Sequence, residues 1–478
     1  MIRQFVKLFT FIVYAPFCQS LLTVKQHNSH PTLYTTFKND AHTIMEYLQK
    51  GHGKGDTYRT LATLVDTYGH RLVGTDSFTK ANQYLVNQLE TIDSLDNVHT
   101  EAVSVPIWNR GREAAKLIEP RAQNISLLGL GTTVPTPADG LTADVVVVRS
   151  FKDLDVFGVK GLIRNKIVVY NQPWINYGQS VEYRETGADR ASKYGAVAVL
   201  IRSPASHSNY SPATGTQTLG ENRAIPAACI TIEDAEMLWR MQSRNVSSIR
   251  IWIRIDSSPT PGQLQSVNTV AQLTGTQFPE QVVLISGHFD SWDVGTGAMD
   301  DGGGVVLAWQ VLQTLKTIGL RPKRTIRAVF WTAEEQGHIG SRQYYQAHKN
   351  TSAHERFIFV SESDAGAFPP SGLNFTGNKA QTKYMHDLVR LLRPLNASRL
   401  YPLNDGGDVQ PWIADGLPGV WLENPDWDDY YFRFHHTNGD TMTVFNSADL
   451  DRTAAVWTIM AHVVANSEQV ISDLFTKK

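Results

Sequence analysis

Residues 281–290 read QVVLISGHFD. The first six form a short, β-branched apolar run of the kind that makes a buried strand. Gly287, His288, Phe289 and Asp290 follow without a spacer, so the run carries an imidazole and a carboxylate at its end. Period-2 alternation puts the side chains of His288 and Asp290 on one side of the chain. Asp290 is therefore expected to accept the free imidazole N–H of His288 and fix its tautomer. The construction recurs. Residues 326–331 (IRAVFW) lead into Thr332-Ala333-Glu334-Glu335, and 357–360 (FIFV) lead into Ser361-Glu362-Ser363-Asp364. Asp300-Asp301 precedes three consecutive glycines and an apolar stretch, 305–318, of helical length. An aspartate at such a turn can bridge two metals, and the glycines let backbone approach closely. Acidic residues at the C-terminal ends of several strands predict an α/β fold with its site along that edge.

An H-x-D pair, an acidic pair opening a helix, or a lone Asp or His each has an ordinary structural role. The order of the groups and their placement at strand ends and turns carry the reading. With His435-His436 they supply two imidazoles and several carboxylates, the donor set that zinc accepts in catalytic sites. They also supply one carboxylate more than two zinc ions need, which is what a metal hydrolase requires as general base.

The order H-x-D, D-D, E-E, D, H resembles the M28 family of co-catalytic zinc exopeptidases. The short gap between its first two groups separates it from the M20 peptidases. The strings GAMDDGGG, RPKRTIRAVFWTAEEQG, SESDAG and HHTNGDTMTVF carry the resemblance, which is densest over 281–444. It implies a zinc exopeptidase-type mixed β-sheet flanked by helices, with an inserted protease-associated-type domain. It implies that His288, Asp300 and Asp364 ligate one zinc ion. Asp300, Glu335 and His436 would ligate a second, with Asp300 bridging and Glu334 as general base. His436 is taken over His435 because the family's ligand histidine stands four residues before the Asp of a D-T pair, here Asp440-Thr441. The implied activity is hydrolysis of dipeptides or short peptides with free termini, by a secreted or lysosomal homodimer. Aminopeptidases of the family share the ligand set. Receptor-like homologues lose ligands, and a glutaminyl cyclase-like branch does not keep the two-metal set; here every position is filled. Phe289 stands where Leu is expected. His338 stands where a small residue is usual, and reads as a surface histidine. Residues 404–408 and Tyr430-Tyr431-Phe432 are candidate pocket residues.

The chain has 478 residues, 42% hydrophobic and 19% charged, which fits a folded protein with a large core. The formal net charge of −2 and the lack of a basic tract give nucleic-acid binding no support. Arg3, Lys7 and the apolar run 8–17 read as a signal peptide over 1–20, too short to span a bilayer. Sequons at Asn124, Asn245, Asn350, Asn374 and Asn396 fit a secretory route. Of the two cysteines, Cys18 leaves with the signal, so no internal disulfide is expected. The organisation reads as a candidate propeptide over 21–56, catalytic segments 57–130 and 262–478, and an insert over 131–261. Pro259-Thr260-Pro261-Gly262 is expected as the return linker.

Overall fold

The computed structural model describes residues 32–92, 95–207, 210–246, 248–349, 355–403, 406–425 and 427–474. The expected signal peptide, Asn350 and residues 404–405 lie outside the described residues. The chain begins one sheet with β1 (Asp96–Asn109) and leaves it for a second. That second sheet holds β2 (Glu113–Glu119), β3 (Gln123–Ile125), β4 (Leu127–Gly129), β5 (Leu141–Val148), β6 (Ile167–Tyr170), β7 (Ala198–Arg202), β8 (Ala227–Ile230) and β9 (Arg250–Ile255). The chain returns through β10 (Ser258–Leu273). It completes the first sheet with β11 (Phe278–His288), β12 (Arg324–Trp331), β13 (Arg356–Glu362), β14 (Gly372–Thr376), β15 (Arg399–Pro402) and β16 (Gly419–Glu423).

The first sheet is mixed, in the order β1-β10-β12-β11-β13-β16-β14-β15. Its centre, β12-β11-β13-β16, is parallel; β10 runs antiparallel to β1 and β12, and β14 runs antiparallel to β16 but parallel to β15. Parallel strands are covered on both faces, which is why their sequences are apolar runs rather than alternations. Val283 and Ile285 face a core shared with helices Leu33–Gln49, Asp56–Tyr68, Gly303–Thr317 and Ser447–Asn466. Leu284 faces the opposite layer, with Trp331, Tyr344 and Trp412. Among the described residues, no helix is long and apolar enough to cross a membrane.

Two expectations change, and a third segment gains a definite structure. The second sheet already begins at Glu113, upstream of Gly131, because β2 pairs with β9. The Pro259-to-Gly262 stretch is strand, not linker: Ile107 pairs with Thr260 and Asn109 with Ser258. Proline is tolerated there because β12 joins β10 only from Thr269 onward, leaving the other edge of this ribbon without a ladder. The register shifts between Pro106 and Ile107, where Gly262 takes a φ of +117°. Finally, residues 33–49 of the candidate propeptide form a helix that buries Phe37, Ala41, Ile44 and Leu48. That spacing is one helical face, and the face belongs to the main core.

The seam between β1 and helix Ile339–His348 titrates. His348 contacts Glu101 through Nε2 at 3.1 Å and Glu355 through Nδ1 at 2.8 Å. Burial opposes its charge, but the bonds to Glu101 and Glu355 prevail and raise it to about 9. Burial likewise opposes the charge of Glu101, whose bonds to His348 and His99 bring it down to about 2. A raised histidine stabilises fully below its unfolded value of ~6.5, and the contribution is lost as pH rises through its folded value. The Glu101 contribution is present above ~4.3 and is lost as pH falls toward 2. His348→Gln is expected to cost about 2 kcal/mol at ~pH 6 and clearly less at ~pH 10. Urea unfolding of both proteins at both pH values checks this; an equal difference at the two would overturn it.

Candidate metal centre and active site

Register brings the site together. His288 ends β11 opposite Trp331 of β12, and Ser286 lies opposite Glu362 of β13. The residues that follow these strands, Glu334-Glu335 and Asp364, therefore emerge beside His288. Asp300 arrives from the turn Ala298–Gly302, and the Asp300–Asp301 peptide is cis. The turn packs tightly because Gly304 has no side chain. A Cβ there would lie 1.9 Å from the Ser363 carbonyl oxygen and 2.3 Å from Asp301 Oδ2.

Asp300 is the centre. Its Oδ1 is 3.1 Å from His288 Nε2, and its Oδ2 is 3.1 Å from His436 Nε2. His288 Nε2 also lies 3.4 Å from Asp364 Oδ1 and 3.8 Å from Glu334 Oε2. His436 Nε2 lies 3.0 Å from Glu335 Oε2. All six residues singled out from the sequence thus meet in one place. His435 stacks on His436 with ring centroids 3.6 Å apart and reaches Asp300 Oδ2 at 3.4 Å. Asp301 is close as well, but its carboxylate accepts the backbone N–H groups of His288 and Gly304 at 3.2 and 2.9 Å.

The supporting groups differ from expectation. The Asp290 backbone carbonyl, not its carboxylate, meets His288 Nδ1, at 3.0 Å against 3.9 Å for Oδ1. The Asp290 carboxylate instead accepts the backbone N–H groups of Glu334 and Glu335 at 3.1 and 3.2 Å. Two otherwise unmet donors are the stronger claim on a buried carboxylate. Asp440 does the same for Asp300, accepting from Met299 N at 2.7 Å and Asp300 N at 3.2 Å. Arg71, fully buried, donates to the carbonyls of Phe289, Thr296 and Gly297 and ties down the loop ahead of Asp300. The sequence reading used Asp440 only to align the histidine, and Arg71 only as part of an early loop. Neither has a local pattern that marks it.

The second sheet's segment also reaches the site. The Thr214 carbonyl lies 3.2 Å from His436 Nδ1, and Thr214 N donates to the His436 carbonyl at 2.9 Å. Thr216 Oγ1 donates to the Glu335 carbonyl at 2.6 Å. Tyr177 stacks on Phe432, centroids 4.3 Å apart. A cavity of about 850 Å³ opens over Asp300, Glu334 and Asp364, bounded by Tyr431, Phe432, Arg184, Glu185 and Glu423. Of the candidate pocket residues, Tyr431, Phe432 and Gly407 line it. Tyr430 lines a separate cavity of about 580 Å³ with Phe368 and Phe445. Asn374, read as a glycosylation candidate, faces the main cavity from β14 and donates to Glu423. Strand pairing on both sides and half-burial make it a poor acceptor. Asn124, Asn245 and Asn396 are exposed.

Burial works against charge throughout. It pushes Glu335 up to about 8 and Glu334 up to about 7, and it raises Asp364. Asp300 alone is held well below the usual carboxylate range, because His288 and His436 outweigh its burial. Asp300 Oδ2, Glu335 Oε1 and Asp364 Oδ1 are buried with no donor in hydrogen-bonding geometry. Buried acceptors left in this state are costly unless a cation meets them.

Residues 268–461 match peptidase family M28. Carboxypeptidase Q from Homo sapiens is 47% identical over 433 residues, 90% of each chain. Carboxypeptidase Q from Xenopus laevis is 44% identical over 457 residues, 95% of each. Among solved structures, a peptidase M28 precursor from Shewanella amazonensis SB2B superposes with a TM-score of 0.85 at 29% identity. The match covers 92% of this chain and 99% of that one. A zinc aminopeptidase from Bacillus subtilis shares the fold, with a TM-score of 0.66 at 20% identity over 89% of this chain and 98% of that one. The chain belongs to peptidase family M28.

Gly304→Ala tests the packing on which the site is built. The added methyl meets backbone, which cannot turn aside as a side chain could. The expected loss is about 3 kcal/mol of stability, with activity lost as well. Urea unfolding checks it; a variant as stable as the parent would show that the turn tolerates a side chain.

Proposed function

We propose that this M28 peptidase is a two-zinc exopeptidase that hydrolyses dipeptides and short peptides with free termini. One observation carries the reading: a single carboxylate, Asp300, offers one oxygen to each of two imidazoles at 3.1 Å. His288, Asp300 and Asp364 would hold one ion; Asp300, Glu335 and His436 would hold the other. Nitrogen and carboxylate oxygen donors, with buried acceptor atoms still unmet, fit that role. His436 is preferred to His435 because its Nε2 reaches both Asp300 and Glu335 while the Thr214 carbonyl fixes its other nitrogen. When bound, zinc supplies Lewis acidity for the scissile carbonyl and makes a neutral-pH nucleophile of water.

Among the described cavity residues outside this set, Glu334 is the acidic side chain that lies against His288, its Oε2 3.8 Å from Nε2. It takes the proton of the attacking water and returns it to the leaving amine. Partial burial suits both roles, since it brings donor and acceptor strengths together. The choice of short substrates rests on the similarity to carboxypeptidase Q and on the cavity. Its walls carry both Arg184 and Arg342 and both Glu185 and Glu423. Cations can meet a free carboxylate and carboxylates a free amine, and a longer chain would leave them desolvated and unpaired. The same reading takes the mature protein as a secreted or lysosomal homodimer, glycosylated at exposed sequons.

Metal analysis after dialysis is expected to give about two zinc equivalents per chain. Glu334→Gln should retain them while losing about 10²–10⁴-fold in kcat. One equivalent in the parent would refute the shared-carboxylate arrangement, and near-parental turnover in the variant would remove Glu334 from the reaction. A dipeptide panel tests substrate class. Acetylating the amino end and amidating the carboxyl end should each lower kcat/KM. If amidated peptides are cleaved as well as free ones, the aminopeptidase reading holds instead.

A further inference from the structure

His338 follows the Glu334-Glu335-Gln336-Gly337 run and caps the helix Ile339–His348. Its backbone φ is +55°, a left-handed conformation that suits glycine and disfavours a side chain bearing a Cβ. A histidine kept there invites the question of what its ring does. The ring is not at the surface. Its Nδ1 lies 3.1 Å from Glu334 Oε1 and 3.2 Å from Asp408 Oδ1. Its side chain is 34% exposed, and the exposed part lines the cavity that holds Glu334.

Asp408 is the fixed end of this arrangement. Its side chain is fully buried, and its Oδ1 also accepts from the Ser341 hydroxyl. Its backbone N–H donates to Glu362 Oε2 at 2.7 Å, which anchors the segment to β13. One ring nitrogen is therefore hydrogen-bonded to an immobile carboxylate and ion-paired with the carboxylate of Glu334. Burial opposes charge on His338, but Asp408 and Glu334 together raise it to about 9, consistent with an imidazolium between two carboxylates.

We infer that His338 is a positioning residue for Glu334: anchored by Asp408, it restrains Glu334 Oε1 and leaves Oε2 to act. Glu334 Oε2 is the oxygen on the side of His288, 3.8 Å from its Nε2. A glutamate has three side-chain torsions to restrain; the one Nδ1–H of His338 is in hydrogen-bonding geometry toward Asp408, so the restraint on Glu334 Oε1 is the ion-pair attraction, at 3.1 Å, of an imidazolium held in place. The inference deepens the proposed function and rests on Glu334 as the general base.

The test is steady-state kinetics of the full-length zinc enzyme on its best unblocked dipeptide, with His338→Ala, His338→Asn and Glu334→Gln side by side. His338→Ala is expected to lower kcat about tenfold, with KM within about threefold and zinc content unchanged. His338→Asn should recover most of that loss, because its amide nitrogen can donate to the same two carboxylates. A kcat for His338→Ala within about twofold of the parent would overturn the inference. So would a loss expressed in KM, which would mark a substrate contact, or an Asn variant no better than Ala. Should the alanine variant fail to fold, the asparagine variant still decides: a kcat as low as tenfold below parent refutes the role, and near-parental kcat supports it. Glu334→Gln separates the two levels. If it stays active, the general-base reading fails; if it is inactive while His338→Ala is unimpaired, only the role of His338 fails.

Discussion

Two imidazoles from distant parts of the chain must meet the two oxygens of one aspartate, and the rest of the architecture serves that meeting. His288 comes from the central strand, and His436 from a loop near the C-terminus. Asp300 stands between them because Asp440 holds it from behind through two backbone N–H groups. Asp440 lies only four residues beyond His436, so one short stretch positions both the bridging carboxylate and one of its partners. A buried carboxylate with two N–H donors on its oxygens cannot easily rotate. That rigidity is the physical condition for a preorganised site.

Packing so many acids together is unfavourable in itself. Asp300, Glu334, Glu335, Asp364, Glu362 and Asp408 share one low-dielectric region, and burial pushes up Glu334, Glu335, Asp364 and Glu362. Such a cluster persists when neighbouring structure over-determines it and when cations offset it. The glycines at the helix start and the fully buried Arg71 supply the first condition. The carboxylate oxygens left without partners mark where the second would act.

His288, Glu334, Glu335 and Asp364 were legible because each ends or follows a strand whose apolar run is unmistakable, Asp300 because it opens a glycine-rich turn, and His436 by its spacing to Asp440-Thr441. Parallel neighbours then put those ends side by side without further information. The groups one layer out were not legible. Thr214 and Thr216 act through a backbone carbonyl and a hydroxyl on a loop remote in sequence, and nothing in their neighbours predicts it. The swap at Asp290, carbonyl for carboxylate, depended on two N–H donors arriving from another strand. The helix Leu33–Gln49 was passed over because its overall polarity hid a four-residue apolar face. Pro259 and Pro261 were read as linker because proline argues against strand, and the free edge that permits it is visible only once β12 is seen to end at Trp331, short of the first part of β10. His338 shows the same limit: an unusual residue was noticed, but its partner, Asp408, lies far along the chain.

The ribbon formed by β1 and β10 has one more consequence. The chain departs for the second sheet and comes back at strands already hydrogen-bonded to each other, Asn109 opposite Ser258. To the host sheet, everything in between is a closed loop whose ends are pinned. The entropic penalty of lengthening such a loop grows only logarithmically. The excursion can therefore be enlarged, trimmed or exchanged over evolutionary time without re-registering the strand that bears His288. Contacts through Thr214, Thr216, Tyr177 and Arg184 tie its contents to the chemistry. The ceiling of the cavity can thus change in length while its floor keeps its register.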